Sequence, residues 1–150
     1  MNNQLETSQF NKKLMCSAIA AAIFILVSLP QVYGQTDRFI STYAAGCPTS
    51  EGKYLHAAVF FALVFALMKL GARLKWSGME EKSDALHAKY AFYATLLFFV
   101  LASTDSYHLS GRLWGGLASE SGCPNVTGII VHGIVFMVVL LLVMYFPKDE

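Results

Sequence analysis

His56 and His132 are the residues best placed to do chemistry, because each closes the same pattern. Gly46-Cys47-Pro48 with Gly52 and His56 recurs as Gly122-Cys123-Pro124 with Gly128 and His132, five residues at a constant offset of 76. Two imidazoles at matching depths can ligate a haem iron or another metal, relay a proton, or hydrogen-bond. Asp37 and Asp105 supply partners for the third role, since a carboxylate at the outer end of one helix can accept an imidazole N–H from its neighbour. A structural set of Asp37, Asp105, His56 and His132 is therefore the leading expectation, with haem or metal binding at His56 and His132 as the alternative. His87 and His108 lack counterparts and read as surface or interfacial residues.

Cys47 and Cys123 occupy equivalent points of the two copies, which predicts that they pair in an oxidising compartment. The alternative is two buried thiols acting as small hydrophobes. Cys16, inside an apolar run, reads as packing. Pro48 and Pro124 suit the turn or first helical positions because proline lacks the N–H left unpaired there. Gly52 and Gly128, four residues before each histidine, permit a close backbone approach. Asn125-Val126-Thr127 is a glycosylation sequon, but its position beside Pro124 and an apolar run makes Asn125 an unfavourable acceptor.

No Gly-rich phosphate loop, H-E-x-x-H, G-x-S-x-G or C-x-x-C motif occurs, so no catalytic residue is assigned. A net charge of +1 gives nucleic acid nothing to bind. The class follows from composition: 55% hydrophobic and 14% charged residues exceed what a soluble core of 150 residues hides.

Spans are located by the gaps between charges, since about 20 apolar residues cross a hydrocarbon layer. Four are predicted, at 14–33, 54–72, 85–103 and 126–146, the middle two extending past Lys69 and Lys89, whose long stems can lift their ammonium groups to the headgroups. Of the Lys and Arg residues, 8 fall on one face (Lys12, Lys13, Lys69, Arg73, Lys75, Lys82, Lys89, Lys148) and 3 on the other (Arg38, Lys53, Arg112), which places both termini in the cytosol. Trp76 inside, with Tyr33, Tyr54, Tyr107 and Trp114 outside, suits interfacial belts; the alternative is that these aromatics fill packing space between helices, with the interface favoured for Trp114. A cleaved signal peptide is the competing reading of span 1, but its removal would leave half a repeat.

The expected fold is thus all-α: one domain over 1–150, an integral membrane four-helix bundle of two tandem helical-hairpin repeats, about 12–72 and 84–147. Thr36-Asp37 and Thr104-Asp105 serve as the upstream marks of the repeat, which gives the second loop 8 extra residues, 18 against 10 between Asp and Cys. Ala58, Ala62 and Ala66, with Ala18 and Ala22, are candidate close-packing surfaces. The mixed-charge loop from Ala72 to Ser83 reads as a solvated face or a docking surface.

The doubled G-C-P-[TN]-x-x-G-x-x-x-H pattern, in a small four-span chain ending Met144-Tyr145-Phe146-Pro147-Lys148, resembles membrane proteins encoded by large nucleocytoplasmic DNA viruses of algae and protists. The resemblance covers Thr36 to Lys148 and carries no functional residue with it. It implies residence in an internal virion membrane, in contact with capsid proteins. Three functions follow: a structural or scaffolding membrane protein, oligomeric or otherwise; a haem- or metal-binding redox protein using His56 and His132; and a small ion or proton channel with the Asp and His pairs near its mouth.

Overall fold

The structure is a computed structural model that describes residues 1–76 and 83–145. The charged segment 77–82, with Lys82, and the chain end from Phe146, with Lys148, lie outside the described residues. The described residues form helices α1 (Asn2–Ser28), α2 (Pro30–Thr36), α3 (Ser50–Arg73), α4 (Asp84–Leu101), α5 (Thr104–Trp114) and α6 (Val126–Val143). A two-stranded hairpin, β1 (Tyr43–Ala44) and β2 (Cys47–Pro48), pairs Tyr43 with Pro48 and Ala44 with Cys47. Its turn residues, Ala45 and Gly46, both have positive φ, as a type I′ turn requires.

Side-chain caps set the helix starts. Thr49 Oγ1 accepts from Gly52 N (3.0 Å) at α3, and Asn125 Oδ1 accepts from Gly128 N (2.8 Å) at α6, so both prolines precede the cap by one residue. Span 1, expected as one unit over 14–33, is broken. Leu29 is extended (φ −62°, ψ 138°), and Pro30, with no N–H to continue the ladder, opens α2. Span 3 ends at Leu101, where Ser103 caps a new helix, and α5 leaves α4 at 55°. The segment expected to be a long loop is therefore partly helical. Among the described residues, α1, α3 and α6 are long and apolar enough to cross a membrane, and α4 with α5 makes a fourth if the bent pair counts as one span.

The long helices lie side by side, α1 most extensively along α6 and α3 along α4, with further contacts between α1 and α3 and between α4 and α6. Their core is a quartet of phenylalanines, one from each. Phe24 stacks on Phe136 (5.0 Å between centroids) and Phe60 on Phe98 (4.6 Å), while Phe24 meets Phe98 and Phe60 meets Phe136 edge-on (5.3 and 5.7 Å). The expected alanine surfaces do not take part. Ala58, Ala62, Ala66, Ala18 and Ala22 are exposed, because the inward row of α3 is Gly52, His56, Phe60 and Val64 and that of α1 is Ser17, Ala21, Phe24 and Ser28. The outward faces carry large apolar side chains, including Leu63, Phe92, Leu96, Ile134 and Val138, a surface suited to lipid.

Candidate functional site

Each imidazole sits where a long helix breaks. His56 projects from α3 to the end of α1, where its Nδ1 lies 2.7 Å from Val27 O. His132 projects from α6 to the end of α4, with Nδ1 2.7 Å from Leu101 O. The last carbonyls of α1 and α4 have lost their helical partners at the break, and the imidazoles take their place. A carbonyl only accepts, so Nδ1 carries the proton and donates in both cases.

The second ring nitrogen meets a hydroxyl from the short helix that follows. His56 Nε2 is 3.0 Å from Thr36 Oγ1 on α2, and His132 Nε2 is 2.8 Å from Ser110 Oγ on α5. In the neutral ring, Nε2 accepts from the hydroxyl. A tyrosine from the same short helix covers each ring: Tyr33 stacks on His56 at 3.6 Å and 7° between planes, Tyr107 on His132 at 4.1 Å and 16°. His56 and His132 are 1% and 5% exposed. Thr42 completes the first cluster, donating to Tyr33 O (2.7 Å) and lying 2.8 Å from Thr36 Oγ1.

The glycines four residues before each histidine serve the same clusters. A Cβ on Gly52 would collide with the Thr42 carbonyl, and one on Gly128 with the Leu117 carbonyl. Each loop therefore crosses directly over the helix that presents the imidazole.

The expected carboxylate partners are elsewhere. Asp37 Oδ1 accepts from the N–H groups of Thr42 (2.9 Å) and Tyr43 (3.1 Å), ordering the strand that follows. Asp105 is exposed in the first turn of α5, where a negative charge suits the helix dipole. Neutral oxygens, not carboxylates, thus satisfy both histidines. The upstream correspondence also shifts: Val27, Tyr33 and Thr36 play the parts of Leu101, Tyr107 and Ser110 at an offset of 74, and at that offset Asp37 stands opposite Gly111 rather than Asp105. From Thr36 to Cys47 is 11 positions and from Ser110 to Cys123 is 13, so the second loop is longer by 2, not 8.

Cys47 and Cys123 form a disulfide, with Cα atoms 5.0 Å apart. Tyr33 and Tyr107 are each 2% exposed and belong to the histidine clusters, not to an interfacial belt. Tyr54, Trp76 and Trp114 are exposed, with Tyr54 stacked on Phe99. His87, expected at the surface or interface, is buried near the start of α4 with no partner for Nδ1 among the described residues. The Asn125 amide is occupied by its cap and by donation to Gly116 O (2.6 Å).

A haem or metal shared by His56 and His132 would have to displace Thr36 and Ser110 from the Nε2 atoms, and one face of each ring is already covered by a tyrosine. No cluster of three or more His, Cys, Asp or Glu side chains able to hold a metal occurs among the described residues. The histidines and cysteines were legible from their spacing. Tyr33, Thr36, Tyr107 and Ser110 were not, although the offset of 74 would have identified them. No protein family, curated protein or solved structure matches this chain.

Proposed function

We propose that the chain is a structural integral membrane protein: a four-helix bundle of two tandem helical hairpins, with both termini in the cytosol and the disulfide on the opposite side. One observation carries this reading. The repeated histidines and cysteines are all engaged within the protein, the imidazoles at helix breaks and the cysteines in the cross-link, so the repeat serves architecture. The phenylalanine quartet supports the repeat itself, because a pseudo-twofold axis relating Phe24 to Phe98 and Phe60 to Phe136 exchanges the two stacked pairs, Phe24 with Phe136 and Phe60 with Phe98, whose geometries are similar.

A redox reading retains one observation in its favour. Donation from Nδ1 to a carbonyl is the arrangement that orients a ligating Nε2. Absorption spectroscopy and metal analysis of the purified protein separate the two: a structural protein gives no Soret band and no stoichiometric metal. A Soret band lost on His56→Ala and His132→Ala substitution would replace the structural reading with the redox one. For a channel, Asp37→Asn and Asp105→Asn would alter liposome ion flux. Residence in a virion membrane beside capsid proteins extends the proposal from the resemblance, and mass spectrometry of purified particles tests it.

A further inference from the structure

We propose that α5 is an interfacial helix that docks on the lipid headgroup boundary on the disulfide side of the membrane, rather than the outer half of a broken span; this rests on the membrane reading above. α5 leaves α4 at 55° and combines polar and charged residues with leucines over eleven positions, the composition of a helix that lies in the interface rather than crossing it. It is held beside the outer end of α6: Tyr107 stacks on His132, Ser110 bonds the same ring, and Gly111 packs against Ala118.

With Tyr107 and Ser110 facing the protein, helical geometry fixes what faces away. At about 100° per residue, Leu109 and Leu113 share one strip, and Asp105 and Arg112 share another about 70° around the helix. Leu109, Leu113 and Trp114 are 61%, 66% and 72% exposed. The leucine strip lies to the side of the helix, and the preceding helix α4 likewise exposes apolar side chains near its end, Leu96, Phe99 and Val100. The charged strip points directly away from the protein interior. A bilayer satisfies both at once: acyl chains take the leucines, while the headgroup layer takes Arg112 and Asp105, and the indole of Trp114 has the amphipathic character that favours this depth. The other hairpin offers a parallel contact just after α2, where Phe39 and Ile40 are exposed beside Arg38.

The test uses the full chain with Trp76→Phe, leaving Trp114 as the sole indole, reconstituted in phosphatidylcholine vesicles. Flotation first establishes membrane association. The expected result is a blue-shifted emission, quenching strongest by lipids brominated near the headgroup, and aqueous iodide quenching several-fold weaker than for free tryptophan. Adding Leu109→Ser and Leu113→Ser is expected to restore iodide quenching while the protein still floats. Strongest quenching by deeply brominated lipids would make α4 and α5 one broken span and overturn the proposal. Full iodide access with no bromolipid quenching in floating protein would overturn it while leaving the membrane reading intact, whereas failure to float would overturn both.

Discussion

The two imidazoles act as replacement backbone partners. Where α1 and α4 stop, their final carbonyls would face an apolar interior with nothing to accept, at a cost of about 1–3 kcal/mol for each unsatisfied group. His56 and His132 reach in from neighbouring helices and satisfy Val27 O and Leu101 O. His56→Leu and His132→Leu are each expected to lower thermal stability in detergent by about 2–4 kcal/mol, because the carbonyl and the hydroxyl both lose a partner. Ser110→Ala should cost less, about 1 kcal/mol, since the carbonyl bond survives. Asp105→Asn should be nearly neutral by the same thermal measurement, because its carboxylate lies outside the histidine clusters.

At the scale of elements, the close crossings at Gly52 and Gly128 invite a direct comparison. Gly52→Ala and Gly128→Ala each press a methyl into a backbone carbonyl and should destabilise by about 1–3 kcal/mol. Gly34→Ala, on α2 with nothing within 4 Å of its Cβ, should be neutral or stabilising by up to about 1 kcal/mol through helix propensity. Equilibrium unfolding of the three variants in one detergent checks the contrast. The start of α6 was legible in the sequence, where the uncharged run begins at Val126, whereas α3 begins at Ser50 rather than at 54 because the Thr49 cap carries the helix back past Glu51 and Lys53. The break in span 1 was present in Pro30 but was hidden by an uninterrupted absence of charge. α5 was hidden for the opposite reason: its serines, glycine and charges read as loop, and only contact with α6 makes them a helix face.

For the whole molecule, the offset of 76 found the cysteines and histidines, whereas the pairing of Asp37 with Asp105 misaligned everything upstream. A dipeptide carries little information, whereas Phe24 and Phe98, like Tyr33 and Tyr107, share an offset of 74 that shows only once Phe24 is seen against Phe98 and each tyrosine against its histidine. The disulfide closes a separation of 76 residues, and loop-closure entropy values such a link at roughly 4–5 kcal/mol in solution, less for a chain already held in a bilayer. Reduction, or Cys47→Ala with Cys123→Ala, should lower the unfolding temperature and slow migration on a non-reducing denaturing gel. Maleimide labelling of either cysteine in denatured, unreduced protein would show the link absent.

The position of that link also governs how the molecule can deform. Its covalent tie lies at one end only, above the histidine clusters, whereas contacts near the other end, such as Lys69 with Asp84 and Lys13 over Tyr145, are separable. Lateral tension in a surrounding bilayer would therefore splay the helices like a clothes-peg gripped at its spring, leaving the cysteine end shut while the far end widens.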